Sequence, residues 1–312
     1  MHSIWTMGEM LVEIMRPRTG MTLRQPGEFL GPYPSGAPAI FIDTVARLGV
    51  GAGIIGGVGC DAFGACLVDR LQNDGVNVEW VHRAPHGSTA VAFVAYAEDG
   101  SRTFIYHIDN TPAVIMPELV DLPVSEAEFF HIMGCSLMAS DTLQQVITKT
   151  ANHFHENGTR ISFDPNIRSE LLLEKSIMEI VDPILRRTSI LLPGDSELRL
   201  ISGTNNLLDG VKTLFDRYPL EVIVVKHGRN GASVFTPTSS FSIAPYVVKE
   251  LDPTGAGDCF DAGFLVGMLR GKSLEECGAI AAATGALNAA GFGPMEGVID
   301  PQAVIDLAGI RI

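Results

Sequence analysis

The chain has 312 residues, 46% of them hydrophobic, and 22 basic against 36 acidic side chains give a formal charge of −14. Such a chain buries a large core, and its acidity argues against nucleic acid or an anionic membrane surface as a partner, though not against a small anionic substrate in a local positive field. Five scattered cysteines without a C-x-x-C argue against a disulfide framework and a zinc site, and with no leader pattern and no run of about 18 apolar residues we expect a soluble, cytoplasmic protein.

In chain order, "SIWTMGEMLVEIM" reads as a first buried strand, and "RPRTGMTLRQPGEFLGPYPSG" as polar, turn-rich chain. "APAIFIDTVARLG" has the spacing of an amphipathic helix leading into the strand "VGAGIIGGVG"; "DAFGACLVDRLQNDG" is a second helix closed by Gly75. Residues 88–107 alternate on two arms around Asp99-Gly100, the pattern of a hairpin. From about residue 128 the rhythm becomes strand–helix. The short apolar strands "EFFHIMG", "TRISFDPN", "SILLPGD" and "EVIVVKHG" alternate with helical stretches such as 141–156 and 207–218. "FSIAPYVVKEL" reads as a further strand and "FDAGFLVGMLRG" as a helix. This alternation predicts one α/β domain, a parallel sheet covered on both faces. Two segments break it, roughly 14–34 and 88–108, and are expected to form a small β flap over one sheet edge.

Several motifs fail on context. "GAGIIG" at 51–56 matches a dinucleotide fingerprint, but it follows a helix and opens a strand, the reverse of what that fingerprint needs. "GKS" at 271–273 has Val266 where a phosphate loop needs glycine. His153 and His155, two apart on a helix, face different ways and read as a solvated helix end. No G-x-S-x-G or H-E-x-x-H is present.

"LDPTGAGDCF", residues 251–260, stands apart. It is a strand-to-helix turn in which Gly255 and Gly257 let N–H groups point outward together at a helix N-terminus, a seat for an anion. Asp258 beside that seat either caps the helix or takes a proton from a group about to attack the anion, and the motif by itself allows both.

The ordered set "GGVGCDAFG" (56–64), "DPNIR" (164–168), "KHGRNGA" (226–232) and "DPTGAGDCFDAGF" (252–264) resembles the ribokinase/PfkB family of ATP-dependent sugar and nucleoside kinases, over essentially the whole chain. The resemblance implies a single domain, a three-layer α/β/α sandwich with a β-sheet lid, and transfer of the ATP γ-phosphoryl group to a primary hydroxyl. Gly255, Ala256 and Gly257 match the family's anion hole and Asp258 its proton acceptor, which at a helix N-terminus is expected to be a weak base. Lys226, Gly228, Thr254 and Asn288 match positions around the nucleotide. Glu13, five residues after Gly8, and Gly36 in "SGAPAI" match positions for sugar hydroxyls.

Three departures bear on substrate and metal. Ile40 replaces an asparagine that binds sugar. The family's N-x-x-E, linked to Mg2+ and phosphate, reads Gly194-Asp195-Ser196-Glu197, so only Glu197 remains as the metal-linked residue. His107 stands where kinases of 2-keto-3-deoxygluconate carry arginine, which favours a neutral sugar, while Arg168 stays available to an acidic one. "PSGAPAIFID" with "GGVGCDAFG" looks most like the tagatose/fructose-type ketohexose kinases of the family. The resulting expectation is an ATP- and Mg2+-dependent kinase of a neutral ketohexose, open to activation by a monovalent cation such as K+ and working as a homodimer. The alternatives are a 2-keto-3-deoxygluconate kinase and a non-catalytic sugar or nucleotide sensor; a sensor has no reason to keep Asp258.

Overall fold

The computed structural model describes residues 3–98, 101–116, 122, 124–168 and 176–312. From the N-terminus the chain forms β1 (Ser3–Met7), β2 (Leu11–Met15), β3 (Leu30–Ser35), α1 (Ala37–Arg47), β4 (Gly51–Gly59), α2 (Ala62–Asn73) and β5 (Val81–Ala84). It continues through β6 (Ala90–Tyr96), β7 (Arg102–His107), β8 (Ala127–Met133), α3 (Gly134–Ala139), α4 (Asp141–Glu156), β9 (Arg160–Asp164) and α5 (Ile177–Leu185). The remainder holds β10 (Thr188–Leu191), α6 (Asp195–Ser202), α7 (Leu207–Arg217), β11 (Val222–Lys226), β12 (Ala232–Phe235) and β13 (Ser240–Ile243). Three helices close it: α8 (Ala256–Leu269), α9 (Leu274–Ala289) and α10 (Pro301–Ala308).

Nine strands form one sheet in the order β13-β12-β11-β10-β9-β8-β1-β4-β5, parallel from β11 to β5, with β12 and β13 added antiparallel at one edge. Successive side chains of a strand point to opposite faces, so a sheet covered on both sides needs apolar residues at every position. Strand β11 shows this. Val222 and Val224 enter one core with Phe41 of α1 and Phe264 of α8; Ile223 and Val225 enter the other with Leu143 of α4 and Leu214 of α7.

The flap is a second sheet, β3-β2-β6-β7, in which β2 pairs antiparallel with β3 and parallel with β6, and β6 antiparallel with β7. The expected single strand over 3–15 is thus two strands in two sheets, because the chain leaves the large sheet at Gly8 and re-enters order at Leu11. The hairpin arms form as expected; its turn at Asp99-Gly100 lies outside the described residues. The strand expected over 241–251 stops at Ile243, since Pro245 lacks the N–H that a ladder needs. Pro245, Tyr246, Val247, Val248 and Glu250 instead line a cavity.

His153 and His155 lie exposed in the last turn of α4. No helix among the described residues is long and apolar enough to cross a membrane.

Candidate active site

Parallel strands present their carboxyl ends to one crevice, where α/β sheets bind ligands. Glu9 follows β1, Cys135 follows β8, Asp164 ends β9, Gly194 follows β10 and Lys226 ends β11, and all five line one cavity of about 240 Å3. The lid forms its roof with Glu13, Arg102, Phe104 and Tyr106, and Gly255, Gly257 and Asp258 stand at its floor. A second cavity of about 650 Å3 lies on the far side of this turn, and the two share Lys226, Pro253 and Gly257. Its wall on α9 consists of Ala282, Gly285, Ala286 and Ala289, whose spacing of three and four leaves one helix face bare of side-chain bulk; Tyr246, Val247 and Phe260 complete an apolar slot.

Gly255 is the N-cap of α8, with φ of 78° in the left-handed region. A Cβ there would lie 2.6 Å from the Pro294 carbonyl oxygen, so both conformation and space demand glycine. The first N–H groups of a helix have no partner within it, which leaves those of Gly257 and Asp258 available to an anion.

Asp258 is buried, and its Oδ1 accepts a bond from Asn166 Nδ2 at 3.1 Å. Burial, reinforced by the charge of Asp164 and opposed by Arg168 and Lys226, pushes its carboxyl up to about 7. Burial thus lifts this carboxyl to the neutral range, where the helix end alone suggested a low value. Asn166 was missed in the sequence as a site residue. Its φ of 35° is unusual for a side-chain-bearing residue, and it is held there by its N–H to Asp164 Oδ1 at 3.0 Å.

Behind Asn166 lies a charge cluster. Lys226 Nζ donates to Asp164 Oδ2 at 2.8 Å and to both oxygens of Asp261 at 3.0 and 2.9 Å. Burial raises the pKa of Asp164, but the Lys226 ammonium outweighs it and holds Asp164 below the ordinary carboxylate range; burial pushes Asp261 well above it. Asp164 therefore carries the negative charge that faces Lys226 and raises Asp258.

On the lid side, Glu13 is buried, with Oε1 accepting from Ser35 Oγ at 2.7 Å and Oε2 without a partner among the described residues. Burial pushes it up to about 7, against the Ser35 bond and the charges of Arg102 and Arg168. A buried carboxyl with one free oxygen in a cavity is built to meet a hydroxyl. Gly36, the N-cap of α1 with φ of 103°, brings backbone to the same wall, where a Cβ would lie 2.6 Å from the Glu9 carbonyl. Glu9, also missed in the sequence, accepts from Ser136 Oγ and from Cys135 Sγ at 3.2 Å.

A profile of the pfkB family of carbohydrate kinases ("pfkB family carbohydrate kinase") matches residues 1–300. The chain belongs to this family. It is 30% identical to the fructokinase of Escherichia coli over 302 residues, 92% of this chain and 95% of that one, and 30% identical to a probable fructokinase-5 of Arabidopsis thaliana, covering 92% and 90%. Among solved structures, a candidate Ribokinase II of Escherichia coli in complex with ATP and Mg2+ superposes with a TM-score of 0.91 at 37% identity, over 98% of this chain and 99% of that one. The ribokinase-like sandwich with a small lid sheet is thereby shown, and the protein is a carbohydrate kinase.

Most expected site residues meet at the two cavities: Glu13, Gly36, Arg168, Glu197, Thr254, Gly255 and Asp258 at the first, Gly228 and Ala256 at the second, Lys226 and Gly257 at both. Two expectations are corrected. His107 points out of the cavity and is exposed against Phe93, with ring centroids 5.9 Å apart. Strand alternation is the reason: Arg102, Phe104 and Tyr106 face in, and Thr103, Ile105 and His107 face out. Asn288 lines neither cavity; it is fully buried and spends Nδ2 on the carbonyls of Thr254 at 2.8 Å and Pro294 at 3.1 Å. It holds the glycine turn from beneath. Glu197 accepts backbone N–H bonds from Ile167 at 2.7 Å and Gly194 at 2.6 Å, so it shapes the loops after β9 and β10.

Proposed function

We propose that the chain phosphorylates a primary hydroxyl of a neutral ketohexose, fructose or tagatose, using ATP and Mg2+. The observation that carries this reading is the placement of a buried carboxylate, Asp258, at a glycine turn shared by a hydroxyl-binding cavity and an apolar slot suited to a purine. The sugar would lie under the lid against Glu13 and Gly36, with its reacting hydroxyl at Asp258. The nucleotide would lie along α9 with its terminal phosphate at the turn. Asp258 accepts the hydroxyl proton, the hydroxyl oxygen bonds to the γ-phosphorus, and the bond to the bridging oxygen breaks to leave ADP. Gly257 and Asp258 N–H groups take up charge on the moving phosphoryl group, the main electrostatic need of this reaction.

Mg2+ supplies charge neutralisation on the phosphates. It binds such sites through few carboxylates and several waters, and Asp164 and Glu197 are the cavity carboxylates that fit this outer role. Among the described residues, no group of three His, Cys, Asp or Glu side chains forms a metal site of its own. Activation by K+ belongs to the same proposal and is checked by replacing it with tetramethylammonium.

Relatives named as fructokinases and the five carboxylates that line the cavity, Glu9, Glu13, Asp164, Glu197 and Asp258, support a neutral substrate. Arg102 and Arg168 in the same cavity favour the second reading, a 2-keto-3-deoxygluconate kinase. A panel of ketohexoses and sugar acids, scored by ADP release and mass of the phosphate ester, tests both. Fructose or tagatose should give the highest kcat/KM. A preference for the sugar acid transfers the function to the second reading, and no ester from any sugar overturns both. We further expect a homodimer joined through the lid, where edge strand β7 exposes Ile105; a monomer in light scattering contradicts that.

A further inference from the structure

Two side chains of the lid reach across to the anion-binding turn rather than to the cavity wall around them. Tyr96 and Arg102 are cross-strand partners at the end of the β6–β7 hairpin. The Tyr96 hydroxyl lies 2.9 Å from Asp252 Oδ1 and 3.1 Å from Thr254 Oγ1, and Arg102 Nη1 lies 3.1 Å from the same Thr254 oxygen. More than 150 residues of chain separate the partners in each pair, so these bonds are a contact between two bodies of the fold and not a local turn.

The protons can be assigned along the chain of bonds. Thr254 donates its hydroxyl proton to Asp252 Oδ1 at 2.7 Å and its backbone N–H to the same oxygen at 3.0 Å. Tyr96 donates to that oxygen as well, and Arg102 donates to Thr254 Oγ1. From below, Asn288 donates to the Thr254 carbonyl, and Gly293 N–H donates to Asp252 Oδ2 at 3.1 Å. Every polar atom of Thr254 is thus engaged, two of its neighbours come from the lid, and Gly255 follows directly with no room between Ile40 and the Pro294 carbonyl.

We propose that Tyr96 and Arg102 are positioning residues that make the lid complete the anion-binding turn, so that the phosphate site reaches its working geometry only when the lid is seated over the other cavity. The physical reason is the lack of slack. With the lid lifted, Asp252 and Thr254 lose two donors, and a buried carboxylate and hydroxyl left short of partners turn to seek others. A shift of Thr254 passes through one peptide into Gly255 and the N–H groups beyond it. The lid also carries Glu13, so a sugar that holds the lid down would set the turn for phosphate. This coupling rests on the kinase reading, whereas the latch itself does not.

The test uses the full-length protein and three variants: Tyr96→Phe, which deletes one oxygen, Arg102→Met, and Arg102→Lys, which keeps a donor. Without any ligand, amide hydrogen exchange over 252–258 should be faster in Tyr96→Phe and Arg102→Met by about 5–10-fold, and near the wild-type rate in Arg102→Lys. With ATP, Mg2+ and the best sugar of the panel, the first two variants should lose about 5–30-fold in kcat, with any rise in the sugar KM smaller than that loss. In a Thr254→Val background Arg102→Met should add little further loss. Exchange at 252–258 equal to wild type in both Tyr96→Phe and Arg102→Met, or a loss confined to the sugar KM, overturns the latch. If the wild-type protein phosphorylates no sugar, the proposed function fails while the exchange result still decides the latch. Should Arg102→Met unfold, Tyr96→Phe alone decides it.

Discussion

On the Glu13 side of Gly257 the cavity wall is dense with charge, and several of its charged groups are oriented by partners distant in sequence: Glu13 by Ser35, Asp258 by Asn166, Lys226 by Asp164 and Asp261. On the Tyr246 side the wall is mostly apolar, and its shape comes from what is missing, the small residues along α9. The two halves answer different ligands. Sugar hydroxyls are well solvated, so binding them requires fixed partners that replace water without rearranging. A purine face asks chiefly for a slot of the right width that keeps water out. Asp258, the proposed proton acceptor, stands where the two designs meet, its pKa raised by burial and by Asp164 of the charged half.

That contrast can be broken in graded steps. The largest effect is expected at the junction. Asp258→Asn keeps size and polarity but accepts no proton, and turnover should fall by about 10²–10⁴-fold, with ATP affinity by calorimetry nearly unchanged. The same variant should be more stable at pH 8. Burial raises the folded pKa of Asp258 to about 7, so ionising it destabilises the native state progressively as pH climbs from the ordinary carboxylate range through 7. A melting temperature higher than wild type at pH 8, converging with it at pH 5, is the expected pattern.

Next comes the polar half. Glu13→Ala should lower kcat/KM for the sugar roughly 10–100-fold, the cost of one hydrogen bond to a charged group, and leave the ATP KM in place. In the apolar half, Ala286→Leu should raise the ATP KM about tenfold by filling the slot without changing the sugar KM. If either variant moves both KM values together, the two cavities are not separable as described. The smallest effect is expected from His107→Ala, which should leave sugar preference and kcat/KM as they are, because that side chain faces away from the cavity.

The sequence made the apolar skeleton legible: continuous runs such as "EVIVVKHG" become strands buried on both faces, and helices 141–156 and 207–217 fall where their periodicity puts them. The glycine turn with Asp258 was also legible, since few other structures need that spacing. Partners supplied by distant chain were not. Nothing local to Asn166 tells that its amide reaches Asp258, and nothing near Arg102 or Tyr96 points to Thr254. His107 was misassigned for a different reason: a motif position was carried over without asking which face of the strand it occupied, and the alternation from Arg102 onward was the signal available to prevent it. Asp258 was expected to be a weak base because the helix end is local and visible, whereas the burial that opposes it comes from the whole cavity.

The most direct test of a buried base shared by two cavities is the pH dependence of kcat/KM for the sugar at saturating ATP and Mg2+. This parameter reports ionisations of the enzyme that meets the substrate. The account predicts that wild-type kcat/KM falls at least tenfold per pH unit below 7, where Asp258 and Glu13 both take up a proton, and levels off above it, and that the residual activity of Asp258→Asn keeps only the shallower limb that Glu13 supplies. A wild-type plateau that runs unbroken down to about pH 5, near the ordinary carboxylate range, or a limb of undiminished steepness in the asparagine variant, would contradict it.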